Sequence, residues 1–183
     1  MWGAQLEAGS FPTSYIPTTS STVTRAADVA SISGSNFSSW YRQDEGTIYH
    51  SYAPFGTAQN RRTYSFSDGT GNNQIRLVAS NSSGAASNYV DITTSGAVQG
   101  FLGAGTAFTA TPQSGALGYI LNNTAFSRNG AAVSVDTSVT TPVVSKLDIG
   151  SDVSSSGPLN GTIRRLTYWS RRLPNETLQT ITQ

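Results

Sequence analysis

Acidic side chains and a single histidine are the residues in this sequence with the capacity for acid–base chemistry. Glycoside hydrolysis, for example, needs two carboxyl groups that face each other across one cleft. Asp44 and Glu45 are adjacent, so on a strand their side chains would point to opposite faces. Asp148 and Asp152 flank a glycine-containing bend, and His50 stands among serines without a nucleophile-elbow motif. We therefore predict no catalytic residues and a protein that is not an enzyme.

Aromatic and amide side chains form a second set, and their chemistry suits sugars. Proteins stack an aromatic ring on the apolar face of a pyranose and hydrogen-bond its hydroxyl groups with polar side chains. Two candidates are predicted on the outward side of strands and the others in loops. The candidate ligand-binding residues are Trp40, Tyr41, Tyr49, Asn72, Asn73, Arg76 and Tyr89. For each aromatic residue the alternative is a place in the core or at a sheet edge, and a cluster on one surface would favour binding.

The composition argues against several other functions. Charged residues make up 11% of the chain and its net charge is +1, so the basic footprint of a nucleic-acid-binding protein is missing. The sequence has no cysteine, which removes disulfides, thiolate metal sites and cysteine nucleophiles. No apolar run approaches the roughly 20 residues that a membrane-spanning helix needs. We expect neither nucleic acid nor a membrane among the partners.

The elements that position these residues are predicted to be strands. Segments in which β-branched and aromatic residues alternate with polar ones recur about every 8–15 residues, with no long helical period between them. In residues 47–53, Ile48, His50 and Tyr52 share one face, which we predict to be the core face. The pattern predicts an all-β fold in which two antiparallel sheets pack against each other.

The C-terminal residues 159–173 carry the clearest strand signal, and they begin with the turn signal Asn160-Gly161. The alternation in this strand is mixed, because Ile163 and Trp169 would fall on one face and Leu166 on the other. We predict either a β-bulge or a strand that is buried on both sides.

Two more local signals concern the ends of elements. Asn129-Gly130 is the dipeptide of a two-residue hairpin turn. Residues 176–181 follow a proline and predict a short closing helix. Leu178 and Ile181 are three positions apart, so they would face inward together from that helix.

Several phrases resemble laminin-G-like domains, members of the concanavalin A-like lectin and glucanase superfamily, which phage tail and fibre proteins often carry. The phrases read S-D-G-T-x-x-N-x-I-x-L, A-x-S-x-N-G, L-x-I-G, and finally G-x-I-R-R-L-x-Y-W-x-R-R-L followed by L-Q-x-I-T. The resemblance covers about residues 27–182. It implies a two-sheet antiparallel jelly-roll sandwich with a short C-terminal helix.

The N-terminal segment resembles a different part of phage structural proteins. Residues 2–18 read W-G-A-Q-L-E-x-G-x-x-x-T-S-Y-I-P-T, which is similar to the end of a jelly-roll domain that leads into the next module. We therefore expect residues 1–19 to be the tail end of a preceding module or a linker, and residues 20–183 to be one laminin-G-like lectin-type domain. The alternative is that residues 1–19 contribute an edge strand to this domain.

Calcium is the one cofactor that the resemblance raises, because relatives of this fold often bind Ca²⁺ at a loop rim through oxygen ligands. Asp68, Asp148 and Asp152 are the expected metal ligands, with Asn72 as a further oxygen donor. None of them has the spacing of a self-sufficient calcium loop. Asp and Asn residues that only form turns look the same in a sequence.

The resemblance implies a non-catalytic carbohydrate-binding module of a phage tail or fibre protein, located in the virion and extracellular. Its expected partners are a glycan on the bacterial surface and other virion protein domains, with a homotrimer as one arrangement. Two alternatives stay open because one fold hosts many functions. The first is a structural or oligomerisation module of a virion protein that binds no sugar. The second is an ancillary carbohydrate-binding module of a polysaccharide-degrading enzyme.

Overall fold

The computed structural model describes residues 5–6, 15–18, 20–24, 29–55, 60–80, 87–103, 111–154 and 157–183. The N-terminal module boundary and the edge strand considered for residues 1–19 lie almost entirely outside them. The described part of the chain forms eleven strands and two helices, in the order β1 (Ala30–Ser33), α1 (Ser35–Ser38), β2 (Glu45–Pro54), β3 (Arg61–Ser67), β4 (Gln74–Ser80), β5 (Ser87–Thr94), β6 (Ala97–Leu102), β7 (Gln113–Ile120), β8 (Thr124–Arg128), β9 (Ser134–Asp136), β10 (Lys146–Ile149), β11 (Gly161–Trp169) and α2 (Asn175–Ile181). Both helices are too short to cross a bilayer.

The strands form two sheets in which all paired neighbours are antiparallel. The six-stranded sheet has the order β1-β10-β3-β4-β5-β6, and the five-stranded sheet has the order β11-β2-β7-β8-β9. Strands that follow each other in sequence, such as β2 and β3 or β10 and β11, lie in different sheets, so the chain crosses repeatedly between the two layers. The predicted two-sheet antiparallel sandwich with a short C-terminal helix is confirmed.

The core lies between the two sheets and follows the alternation of each strand. Ile48, His50 and Tyr52 of β2 are at most 1% exposed, which confirms their predicted inward face. Tyr64 and Phe66 of β3 meet them from the six-stranded sheet and are equally buried. Burial of each large apolar side chain contributes about 1.5–3 kcal/mol, so this layer holds the two sheets together.

Strand β11 contains the irregularity that its sequence suggested. Its register against β2 shifts between Ile163 and Arg165. The shift turns both Ile163 and Leu166 towards the core, while Trp169 packs on the opposite face of the sheet. Of the two predicted explanations for the mixed alternation, the β-bulge is therefore confirmed.

The two turn signals have different outcomes. Asn129 and Gly130 both adopt positive φ, at 48° and 71°, as a tight turn requires, although the pairing of β8 with β9 begins only beyond a longer loop. Asn160-Gly161 joins no hairpin, since β10 and β11 lie in different sheets. Gly161 serves a close approach instead, because a Cβ atom there would lie 2.4 Å from the carbonyl oxygen of Ala53.

Helix α2 covers the outer face of the five-stranded sheet. Leu178 is fully buried against Ala116 and Ala125, and Ile181 packs beside them. The predicted inward pair of this helix is thus observed, and its partner surface is the outside of a sheet rather than the core between the sheets. One outer face of the sandwich is occupied by the chain itself.

Thr47 fastens the segment that leads into this helix. Its buried hydroxyl donates to the carbonyl oxygen of Arg171 and accepts from the backbone N–H of Leu173, both at 2.8 Å. Thr47→Val keeps the shape and leaves both backbone groups unpaired, so we expect the free energy of unfolding to fall by about 1–3 kcal/mol. Urea denaturation measures this loss, and Thr47→Ser, which keeps the hydroxyl, is the matched control. Equal stability of the valine variant and the wild type would contradict the assignment.

Candidate functional site

The outer face of the six-stranded sheet is polar. The strand registers align Asp148 of β10, Ser65 of β3, Arg76 of β4 and Asp91 of β5 in one row across four strands. In the next row Lys146, Ser67, Gln74 and Thr93 are aligned in the same way on the same four strands. Apolar side chains on these strands point to the core, so the alternation leaves the outer face to groups that hydrogen-bond.

The side chains of these two rows differ in length, and their order gives the surface a shape. The central strand β3 carries the short serines, whereas longer side chains stand on the neighbouring strands β10 and β4. Both serines are fully buried, whereas Arg76 and Lys146 remain partly exposed. We call this polar strip along β3 the β3 trough, and it consists of Ser65, Ser67, Gln74, Arg76, Lys146 and Asp148.

Three polar atoms in the β3 trough lack a hydrogen-bond partner among the described residues. They are Oγ of Ser65, Oε1 of Gln74 and Oδ2 of Asp148, and all three side chains are at least 95% buried. A buried polar group without a partner costs about 1–3 kcal/mol, and native proteins keep few of them. Groups of this kind gain most from an incoming molecule that offers hydrogen bonds.

The cations around the trough are held in ion pairs. Arg76 donates from Nε and Nη2 to Oδ2 of Asp91, at 2.9 and 2.7 Å. Lys146 Nζ lies 2.8 Å from Oδ1 of Asp148. These pairs fix the long side chains that form the walls of the trough.

Arg62 and Asp152 make a third ion pair beside the trough. Arg62 Nε lies 3.4 Å from Oδ2 of Asp152, and the same carboxylate oxygen is 3.8 Å from Nη1 of Arg76. Burial, followed by the neighbouring charge of Arg76, lowers the pKa of the Arg62 guanidinium. Two guanidinium groups thus share one carboxylate next to the trough.

A groove of about 680 Å³ continues the trough at its end near the β3–β4 turn. Lys146 belongs to both, and Asp68 and Gly69, which directly follow β3, line the groove together with Ser33. Phe37, Tyr41 and Val144 also line the groove, so the polar trough continues into a surface of mixed character.

Aromatic rings lie at the other end of the polar row. Phe101 of β6 pairs in register with Asp91, and its ring meets that of Tyr89 edge-to-face with 5.4 Å between centroids. Phe101 is 59% exposed, so a large apolar surface stands beside the polar row. Tyr89 lies within strand β5 and not in a loop as predicted.

The structure brings some of the predicted ligand-binding residues together. Arg76 lies in the trough and Tyr89 borders it. Asn72 and Asn73 belong to the β3–β4 turn at its end, where the side chain of Asn73 accepts from the backbone N–H of Ser95. Arg76 and Tyr89 lie on the outer side of the six-stranded sheet, whereas Asn72 and Asn73 lie in the turn at one end of it.

The other predicted binding residues lie outside the trough itself. Tyr49 is on the outer face of the five-stranded sheet, with the guanidinium carbon of Arg165 5.6 Å from its ring centroid. Tyr41 is only 7% exposed and stacks on Phe37, and burial raises its pKa. Neighbouring core rings cover most of Tyr41, but it lines the groove at the end of the trough, so its contact with a ligand stays a prediction. Trp40 is half-buried at the edge of the same cluster.

The predicted calcium ligands each have other partners. Asp68 accepts from Thr70 and Asn73, and these side-chain hydrogen bonds lower its pKa. Asp148 and Asp152 take part in the ion pairs described above. Within the described ranges, no three carboxylate or imidazole side chains converge as a metal site would require. Calcium binding by these residues stays a prediction.

Sequence reasoning missed most of the trough. Ser65, Ser67, Gln74 and Lys146 were not among the candidates, and neither was Phe101. The alternation of Tyr64 and Phe66 with the two serines did signal a polar outer face on β3. No signal in the sequence gave the register that places β10 and β4 on either side of it.

No protein-family model and no curated protein matches the chain. Solved structures do match it. The CBM40 module of the Ruminococcus gnavus IT-sialidase, bound to α2,3-sialyllactose, has a TM-score of 0.65 at 18% identity, over 77% of this chain and 84% of that chain. Domain 4 of AbnA, a GH43 extracellular arabinanase from Geobacillus stearothermophilus in complex with arabinotriose, has a TM-score of 0.56 at 14% identity, over 76% and 67%.

A third match is the SAP-like pentraxin from Limulus polyphemus, with a TM-score of 0.55 at 12% identity over 76% of this chain and 70% of that one. The chain folds as a lectin-like jelly roll. At these identities the likeness concerns the fold, since unrelated functions occur on one fold.

Proposed function

We propose that this chain is a non-catalytic carbohydrate-binding module whose ligand lies in the β3 trough. The observation that carries the proposal is the set of three buried, unpaired polar atoms on Ser65, Gln74 and Asp148. A saccharide offers many hydroxyl groups, each of which both donates and accepts, so it can pair all three atoms at once. The exposed ring of Phe101 beside the polar row is suited to the apolar face of a pyranose.

The fold comparisons support this proposal at the level of the ligand class. The sialidase module was solved with sialyllactose and the arabinanase domain with arabinotriose, so jelly rolls of this kind do bind sugars. The trough differs from a glycosidase cleft in its chemistry. Its carboxylates Asp91, Asp148 and Asp152 are held in ion pairs with Arg or Lys, whereas glycoside hydrolysis needs two carboxyl groups that flank the scissile bond across one cleft.

We also propose a setting for this module, namely a phage tail or fibre protein. Phrases shared with phage tail and fibre proteins support a module that is extracellular in a virion and binds a glycan on the bacterial surface, next to other virion domains and in a homotrimer. A second candidate setting, an ancillary module of a polysaccharide-degrading enzyme, is favoured by the sialidase and arabinanase neighbours. The two settings differ in the parent protein and use the same trough.

Two substitutions test the trough without removing a paired group. Ser65→Ala and Gln74→Met each delete an unpaired polar atom and keep the approximate shape of the side chain. We expect each variant to bind glycans about tenfold more weakly, since one hydrogen bond is lost. We also expect unchanged or higher thermal stability, because an unsatisfied buried group has been removed.

The measurement is binding to a glycan array that includes sialyllactose and arabinotriose, followed by calorimetry on the best ligand. Ser51→Ala is the matched control, because Ser51 lies on the outer side of the five-stranded sheet. The proposal fails if the wild type binds no glycan, or if the control weakens binding as much as the two trough variants do.

A further inference from the structure

We infer that the β3 trough selects neutral, hydroxyl-rich saccharides and discriminates against sugars that carry a carboxylate. The inference rests on the proposed function and adds the charge class of the ligand. It runs against the ligand of the sialidase module, whose bound sialyllactose is acidic. It follows from which charges around the trough are already paired and which polar atoms are left over.

Among the described residues, each cation near the trough lies beside a carboxylate. Arg76 gives two hydrogen bonds to Asp91, and Lys146 lies 2.8 Å from Asp148. A bidentate or close ion pair on a partly buried surface is held firmly. An acidic sugar would have to displace one of these protein carboxylates in order to reach a cation.

Negative charge is in excess among the described residues once Asp68, at the end of the trough, is counted. Asp68 lines the groove at the end of the trough and has no ion-pair partner among the described residues. In the part of the chain that the structure describes, the cations Arg62, Arg76 and Lys146 therefore face four carboxylates, which are Asp68, Asp91, Asp148 and Asp152. A sugar carboxylate brought into this surface meets net repulsion, which in a partly buried site is screened less than in water.

The unpaired atoms select the same class of ligand. Oε1 of Gln74 and Oδ2 of Asp148 can only accept hydrogen bonds, and the hydroxyl of Ser65 donates or accepts. A sugar hydroxyl donates to an acceptor, whereas an ionised carboxylate has no proton to give. A carboxylate beside Oδ2 of Asp148 would place two acceptors with like charge against each other.

Arg62 is the group that would favour an acidic sugar, because its Nε and Nη1 have no hydrogen-bond partner. Its guanidinium is 11% exposed and lies 3.4 Å from Asp152, so its charge is already compensated. Its unpaired N–H groups are hydrogen-bond donors. The oxygen of a neutral hydroxyl can accept a hydrogen bond from them, as a carboxylate oxygen can. Arg62 therefore adds donors to the site without changing its charge preference.

The test compares each acidic glycan with its own methyl ester, since esterification removes the negative charge of each carboxylate and adds only a methyl group there. The pairs are sialyllactose and oligogalacturonate with their esters, alongside neutral arabino-oligosaccharides. We expect the wild type to bind the neutral member at least about tenfold more tightly. We also expect this affinity to be nearly the same at low and high salt, because no net charge attraction is involved.

Variants of the carboxylates show whether the preference is electrostatic. Asp148→Asn keeps the shape and frees the charge of Lys146, so the ratio of neutral to acidic binding should fall by about tenfold. Asp68→Asn, at an exposed turn, provides the same test with a smaller expected fall if the first variant does not fold. An unchanged ratio in a folded variant would overturn the inference.

The outcomes distinguish failure of the charge preference from failure of the proposed function. Preference for the acidic members, weakened by salt, would overturn the charge class and leave a carbohydrate-binding module in place. Binding to neutral glycans that Ser65→Ala does not weaken would move the site away from the trough and overturn both. Binding to no glycan at all would refute the proposed function itself.

Discussion

Asp91→Ala is expected to lower the free energy of unfolding by about 3 kcal/mol. The carboxylate is 97% buried and receives two hydrogen bonds from Arg76 and one from the hydroxyl of Thr93. Removal of one partner from a buried ion pair leaves an uncompensated charge, which costs about 3–5 kcal/mol. The lower end applies here because Arg76 still lies 3.8 Å from Asp152 and its side chain is 24% exposed, so its charge is partly compensated and partly screened by solvent. Urea denaturation at neutral pH measures the loss.

A double variant separates the charge from the packing. Arg76→Met with Asp91→Leu replaces both partners by apolar side chains of similar size, and such replacements are often neutral in stability. We expect the double variant to recover most of the stability that Asp91→Ala loses, while its glycan binding falls because one wall of the trough has lost its polar groups. Equal destabilisation in the single and double variants would show that the ion pair is not the cause.

Acidification is expected to destabilise the protein through His50. Its imidazole is 1% exposed, and burial, with the nearby charge of Arg128 as a second cause, lowers its pKa to about 3. In the unfolded chain the imidazole has its ordinary pKa of about 6.5. Between these two values the unfolded state binds the extra proton, so stability falls as the pH drops from 6.5 towards 3, by up to about 1.4 kcal/mol per pH unit. Above pH 6.5 this group makes no contribution to the pH dependence.

Denaturation curves at several pH values measure this slope. His50→Gln is the control, because glutamine is neutral throughout the range and cannot take up the proton. The variant should lose stability less steeply between pH 6.5 and 5, where few carboxylates titrate. An identical slope in the variant and the wild type would mean that His50 is not the group responsible.

Much of the architecture could be predicted because it depends on local alternation. Ile48 and Tyr52 point to the core since side chains on a strand alternate between its faces, and the closing helix follows from Leu178 and Ile181 after Pro174. The bulge in β11 was one of two explanations for its mixed alternation, and only its pairing with β2 distinguished between them. Asn160-Gly161 misled, because the same dipeptide serves a hairpin turn or a close approach of two strands.

Burial was harder to predict for residues outside strands. Tyr41 sits in a loop of the sequence, yet its ring stacks on those of both Phe37 and Phe66 in the core. Phe101, in contrast, belongs to an edge strand and is exposed. Whether a ring is buried or exposed depends on which other segments pack over it, and those segments can be distant in sequence.

The sequence by itself determined that this chain forms two antiparallel sheets, that a helix closes it, and that its strands present polar residues outward. The tertiary structure alone decided where those polar residues meet. Asp148 lies far from Ser65 and Arg76 in the chain and becomes their neighbour because β10 pairs with the side of β3 opposite β4 in a particular register. Alternation fixes the face on which a side chain lies, whereas register depends on long-range strand pairing, and the trough is a product of register.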